Sequence, residues 1–473
     1  MRNPMAEPET PAGPAAADEA EGMEEVAARL GTEGGLGLIR RLTRDHPRLD
    51  LVATCVSYSA RLSTPPGSAA VIDTVTGGAA LADPARARYA AIGEAVERYC
   101  GNAVPAELPT GSYERLAREG RPVADPRTFA LYSRAQHAQR GFPFVPMTPD
   151  LEIAWAHGED LSDGRQILVP ASLAYVNYFR GTRAAEAPTN YPILAGTAAG
   201  LTPERARFAA LLEVLERDAV TVWWTSGAPA APLVAGTGGR LGFALREAEQ
   251  AGLDVTLLRI PSSFDVPVAG AFIEDRARRL VAFGSACRPT AEAAAAKALT
   301  EAVGMHATGF ELLDRDGPFW RAVDAGRISR HPYRAHRADR AYLEDFRPDW
   351  RDVNDVRLHV QVYLDARMQD TRLDRLRTPA APAASPDDAG AAGPLGSLTA
   401  HGLRAIAVDL TTPQVRAAGM HVARVMVPGL YCNAPAAFPF LGGDRLHREP
   451  AARGWVPGPL TEDDLVRDPL PFS

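Results

Sequence analysis

Glu94, Glu97 and Arg98 fall in the segment EAVERY, and Glu213, Glu216 and Arg217 in EVLERD. Both read Glu-x-x-Glu-Arg. On a helix, residues three and four apart share a face, so each segment projects two carboxylates and a guanidinium together. One reading is a salt-bridged, solvated helix face, the ordinary fate of charged helical residues. The neighbours favour a second. FAALLEVLERDAVTVWW has little polar surface besides its acidic cluster, and carboxylates set in an apolar helix need cations or donors around them. Mg²⁺ is bound through one or two carboxylates plus substrate phosphates, and arginines beside the carboxylates would hold phosphate oxygens. A third segment, TAEAAAAKALTEAVGMHATG, aligns with the other two. Glu301 takes the first acidic position, and Gly304 and Met305 stand where the second Glu and the Arg would be. Lys297, four residues before Glu301, shares its face and either pairs with it or reaches a phosphate.

Three Ala-rich helices, over 84–103, 202–225 and 289–308, must carry these faces. Between them lie strand signals. Residues 151–179 read as two strands around turns. LDVTLLRI, VPVAGAFIED and RLVAFGSAC read as a run of strands, with a turn at 275–279. DVRLHVQVYL (355–364) alternates with period two and reads as a strand. Residues 404–410, 412–419 and 421–430 read strand, short helix, strand. Strands grouped in hairpins with helices between them predict a mixed α/β (α+β) fold. LGLIRRLTRDHPR (36–48) reads as an amphipathic helix. Residues 1–25 read as a disordered tail and 378–396 as a flexible Pro/Ala-rich loop. That loop separates a main part, 26–377, from a C-terminal part, 397–473.

The chain has 473 residues, net charge −7, 46% hydrophobic and 23% charged residues, which describes an ordinary globular body. The charge excludes a basic nucleic-acid footprint, and no apolar run is long enough to span a bilayer. The acidic N-terminus is unlike a signal peptide, and four scattered cysteines without a CxxC pair fit a reducing cytoplasm. His306 and His359 read as core or surface residues, Trp223 and Trp224 as core, and the cysteines as small buried hydrophobes. The Gly-containing stretches 76–78 and 195–200 read as turns offering backbone donors; neither is a Walker loop.

GEAVERY, LLEVLERDA and ALTEAVGM, in this order, resemble the three nucleotide-binding helices of the YcaO superfamily. The resemblance extends over residues 75–101 and 194–219. VDLTTPQVRAAGMHVARVMVPGL (408–430) and FLGGDRLHREP (440–450) are similar to its azoline-forming branch. It implies a fold of mixed and antiparallel sheets flanked by helices, in pseudo-symmetric halves, and an enzyme using ATP and Mg²⁺. The implied reaction is cyclodehydration of a ribosomal precursor peptide: a Cys, Ser or Thr side chain attacks the preceding carbonyl, and the oxygen leaves as phosphate. Glu94, Glu97, Glu213, Glu216 and Glu301 are then the expected Mg²⁺ ligands. Arg98, Arg217 and Lys297 join them at the nucleotide, with Arg217 on the phosphates. Three departures stand out: Gly304 where the family has Gln, Ala90 where many members have Ser, and a terminal RDPLPFS in which Ser473 replaces the last Pro of a Pro-x-Pro-x-Pro tail. That tail reaches the active site in the family, so Pro471 and Ser473 are counted with Arg217 as catalytic candidates. No fused leader-binding module is expected, which implies a separate E1-like or ThiF-like partner and a homodimer of this chain. A non-catalytic scaffold, and an enzyme making thioamide or amidine, are the alternative readings.

Overall fold

Each acidic helix follows a strand and packs back on it. The structure, a computed structural model, describes residues 14–31, 35–46, 49–63, 74–379 and 388–471. After an N-terminal helix α1 (Pro14–Leu30), the three helices are α2 (Pro84–Gly101), α3 (Pro203–Ser226) and α4 (Ala291–Leu313). Their starts are written locally. Asp83, Thr202 and Thr290 cap them, accepting from the N–H groups of Arg86, Arg205 and Ala293, and Pro84 and Pro203 occupy first-turn positions that need no N–H donor.

All strand pairings within the three sheets are antiparallel. The first sheet runs β1 (Ile39–Arg44), β2 (Cys55–Leu62), β3 (Val75–Leu81). The largest has the order β4 (Thr110–Gly111), β5 (Ile153–Asp160), β12 (Ile406–Asp409), β13 (His421–Met426), β7 (Thr197–Gly200), with β6 (Gln166–Pro170) also paired to β5. The remaining sheet is β11 (Leu280–Cys287), β10 (Val268–Asp275), β9 (Asp254–Arg259), β8 (Ala231–Pro232). α2 lies against β3, α3 against β7 and β13, and α4 against β11 and β10. The core beneath α3 holds Trp223, Trp224, Leu211 and Leu215, and Trp223 stacks on Phe283 of β11 at 5.8 Å.

One glycine per unit brings strand and helix backbones together. A Cβ at Gly78 would sit 2.1 Å from the Ala91 nitrogen, one at Gly200 2.7 Å from the Ala206 nitrogen, and one at Gly284 2.4 Å from the Ala298 oxygen. Ala87, Ala91, Ala298 and Ala302 line the helix side of these contacts and are buried. The close approach sets the height of each acidic face above its strand. Gly284→Ala is therefore expected to destabilise the fold by about 2 kcal/mol, because the two nearest obstructing atoms, the Ala298 oxygen and the Ala302 nitrogen, are backbone. A urea midpoint unchanged from the parent chain would contradict it.

Most elements lie where the sequence places them, and four readings need correction. Residues 39–44 form strand β1, not a helix, since pairing with β2 satisfies their backbone. Residues 358–362 form a helix, not a strand. Asp355 closes the preceding turn by accepting from the Arg357 N–H, and Leu358, His359, Gln361 and Val362 are buried at helical spacing. Thr76–Gly78 and Thr197–Gly200 are strand, not turn. α1 begins inside the stretch expected to be a disordered tail; residues 1–13 lie outside the described residues. So do 380–387 of the expected loop, whose flanks are ordered: Asp388 bridges to Thr290, and a helix starts at Gly393. Among the described residues no helix is long and apolar enough to cross a membrane.

Candidate nucleotide and metal site

The acidic faces are fastened to strand backbones, and the fastening crosses between units. Glu94 accepts from the Gly77 N–H (3.1 Å) on its own strand, and Glu213 from the Gly196 N–H (2.9 Å) just before its own. The second carboxylate of each pair reaches onward. Glu97 of α2 accepts from the Ala199 N–H of β7 (2.8 Å), and Glu216 of α3 accepts from Ser285 Oγ (2.8 Å) and the Cys287 N–H (3.1 Å) of β11. Gly196 adopts φ +84°, and a Cβ there would strike the Val425 oxygen at 2.7 Å, so that donor position requires glycine.

Cations thread the cluster. Arg98 donates to Glu94 (3.0 Å). Arg217 stands between Glu216 (3.3 Å) and Glu213 (3.8 Å), and Lys297 pairs with Glu301. Burial, reinforced by the charges of Glu213 and Glu94, pushes Glu97 up to about 8. Burial also raises Glu94, against the pull of Arg98, and Glu216, against Arg217 and Arg288. At Glu301 burial is outweighed by Lys297, Arg217 and Arg288, and its carboxyl lies below the usual range. Because Glu94 feels Glu301, Glu97 feels Glu213, and Glu301 feels Arg217, all three helices meet at one place.

Mg²⁺ and a nucleotide fit this donor set. Glu97 facing Glu213 leaves like charges together, which a divalent cation relieves. Among the described residues no group of three His, Cys, Asp or Glu side chains is arranged to hold an ion by itself. The buried Arg98 Nε has no acceptor among the described residues.

The family description "YcaO cyclodehydratase, ATP- and Mg²⁺-binding" matches residues 79–431, most of the chain and all three helices. This chain belongs to the YcaO family. Solved structures share its fold. A heterocyclase in complex with substrate and cofactor has a TM-score of 0.68 at 18% identity, over 95% of this chain and 57% of that one. A YcaO from Methanopyrus kandleri bound with AMPPCP and Mg²⁺ has a TM-score of 0.54 at 18% identity, covering 87% and 90%. The E. coli microcin synthetase McbBCD complex with pro-MccB17 bound has 0.54 at 9% identity, covering 82% and 88%. The chain thus spans little more than half of the heterocyclase's length. A comparison with curated proteins finds no sequence match.

In this YcaO chain the structure brings together Glu94, Glu97, Arg98, Glu213, Glu216, Arg217, Lys297 and Glu301. Asp218, next in sequence, turns away: it is buried, accepts from the Tyr431 N–H (2.8 Å) and pairs with Arg445, fixing the segment 440–450. The tail is anchored elsewhere. Val466 N–H donates to the Thr225 oxygen (2.8 Å), Trp224 Nε1 to the Asp468 oxygen (2.8 Å), and Tyr363 Oη to the Pro469 oxygen (2.6 Å). Trp224 is about 12 Å beyond Glu216 along α3. Pro471 is buried, and no hydrogen bond or ion pair among the described residues joins the tail to the carboxylates. Ser473 lies outside the described residues.

Two arginines escaped the sequence reading. Arg288 follows β11 and acts on Glu216 and Glu301. Arg424, in the middle of β13, is 2% exposed. A charged residue inside the apolar run HVARVMV was the signal available for it. Cys55, Cys100, Cys287 and Cys432 are buried or half-buried, and burial raises each thiol. His306 is buried against Asp275 (3.0 Å), and His359 is buried as well.

Among the described residues a Cβ at Gly304 would meet no atom within 4 Å, so the amide missing from the third helix leaves open space beside Glu301. Gly304→Gln should be accommodated. It should add about 1 kcal/mol of helix stability, and one new hydrogen bond should tighten nucleotide binding about fivefold. Weaker binding by calorimetry would show the gap to be needed.

Proposed function

We propose that this chain is an ATP-dependent cyclodehydratase of the azoline-forming branch, turning Cys, Ser or Thr of a ribosomal precursor peptide into thiazoline or oxazoline rings. The observation carrying the reading is the convergence of Glu94, Glu97, Glu213, Glu216 and Glu301 from three helices around Arg217. When bound, ATP supplies the phosphoryl group that makes an amide oxygen a good leaving group, and Mg²⁺ neutralises phosphate charge. The chain's own part is positional and electrostatic. Glu94, Glu97, Glu213, Glu216 and Glu301 are the residues that would share in holding the cation, completed by phosphate and water, and Arg217, Arg98 and Lys297 those that would take phosphate oxygens. The amides of Gly77, Gly196, Ala199 and Cys287 keep the carboxylates from turning away. Pro471 and Ser473 remain proposed as the tail's contribution to the reaction.

The peptide is proposed to arrive with a separate leader-binding E1-like or ThiF-like protein, to a homodimer of this chain in the cytoplasm. The McbBCD synthetase, described as a complex with pro-MccB17 bound, supports a multi-component arrangement. The test is mass spectrometry with phosphate release. A precursor peptide, ATP, Mg²⁺ and the partner should give one water lost and one phosphate released per ring. Peptide binding without either product would make the chain a scaffold, and a sulfur-for-oxygen mass change would make it a thioamide former.

A further inference from the structure

Beside the carboxylate cluster, across Arg217, lies a small cleft with about 70 Å³ of free space. Phe129, Leu131, Ile193, Met426, Leu430 and Phe440 are among the apolar residues of its wall, to which α3 adds Val214 and Arg217 and β13 adds Arg424. α3 thus presents one face to the cluster and another to the cleft. That space is on the scale of one side chain rather than of a whole small-molecule ligand.

Arg424 is out of place in such a wall. One guanidinium nitrogen, Nη1, donates to the Ile193 oxygen, the Leu194 oxygen and Thr197 Oγ1, each at 3.1 Å. Its Nε is buried with no acceptor, and among the described residues Arg424 makes no ion pair. A buried cation in this state is expensive unless a ligand completes its bonding. The other polar side chains on the wall narrow the ligand's chemistry. Arg217 is donor only. Tyr431 Oη is already used, donating to the Gly442 oxygen and accepting from the Leu446 N–H. Cys432 Sγ donates to Asn433 Oδ1. The cleft therefore suits a ligand with an apolar body and acceptor oxygens, such as a peptide residue with its carbonyl. A purine's amino group would find no side-chain acceptor here.

We propose that this cleft receives the residue preceding the ring-forming Cys, Ser or Thr. It selects an apolar side chain there, and Arg424 holds that residue's carbonyl oxygen at the cleft's edge. The proposal rests on the peptide-modifying reading above and adds a specificity determinant to it.

The test is binding, read without turnover. Fluorescein-labelled Gly-Leu-Cys-Gly and Gly-Asp-Cys-Gly are titrated against the full chain by anisotropy. The Leu peptide is expected to bind at least about tenfold tighter, roughly the effect of burying one such side chain. Leu131→Trp fills the cleft and should abolish the preference. Leu131→Ala enlarges it and should shift the preference to Gly-Phe-Cys-Gly, which keeps the proposal testable if the Trp variant does not fold. Equal binding of Leu and Asp peptides overturns the proposal. So does a Leu131→Trp chain that keeps its peptide preference but loses affinity for a fluorescent ATP analogue, which would assign the cleft to the nucleotide base. If the binding preference holds yet no peptide loses water, the catalytic reading fails and the pocket stands.

Discussion

Arg217→Met lowers peptide-dependent phosphate release by roughly 10²–10³-fold, the range seen when one preorganised donor to a developing charge is removed. Arg217 is placed for this role by α3 itself, one turn after Glu213 and directly after Glu216. Its influence also reaches Glu301 on α4, making it, like Arg288, a cation common to two of the three helices. Methionine keeps much of the side-chain volume and removes the charge, so the experiment separates electrostatics from packing. Lysine restores charge without the planar fork and should recover only part of the rate. The fold should persist, because Glu216 keeps Ser285 Oγ and the Cys287 N–H, and Glu213 keeps the Gly196 N–H. Circular dichroism and a cooperative melt check that. Full turnover in a folded Arg217→Met protein would remove this residue from the phosphate site.

Glu97→Gln should change both the apo protein and its response to Mg²⁺. Burial and the neighbouring anions Glu213 and Glu94 raise Glu97 to about 8 in the folded chain, against an ordinary value of 4.5. Between those values the folded state holds a proton that the unfolded state has released. Stability therefore falls as pH rises through that window and levels off above about 8. At about 1.4 kcal/mol per unit, and allowing for partial exposure, the total is about 3 kcal/mol. Glutamine carries no titrating charge and accepts the Ala199 N–H equally well. The variant should lack that pH slope and be the more stable protein at pH 8 without ligand. Mg²⁺–nucleotide should reverse the ranking by displacing the Glu97 proton, so the parent gains more stability from ligand at pH 8 than at pH 6, while Glu97→Gln binds at least about a hundredfold more weakly. Thermal melts across pH with and without Mg²⁺ and a non-hydrolysable ATP analogue measure both effects. Parallel pH profiles for the two proteins would show that Glu97 does not titrate against Glu213.

The misreadings share a cause. Residues 39–44 and 358–362 are short, and a short apolar pattern satisfies strand and helix spacing at once. What decided them was the neighbour available: β2 for the first, the helical core around α4 for the second. Asp218 directly follows the Glu-Glu-Arg cluster in sequence, but one step along a helix turns a side chain through about 100°, and its partner Arg445 lies on that other side.

The sequence by itself determined the three helices, their caps, the acidic face of each and the family to which they belong, because caps and i, i+3, i+4 spacing are local properties of the chain. Only the tertiary structure decided which partner each carboxylate has. Glu97 is held from β7 and Glu216 from β11, by backbone N–H groups that every residue but proline carries and that therefore leave no mark in composition. It also decided that Arg288 and Arg424 join the site, since their contribution comes from sheet packing between segments far apart in the chain.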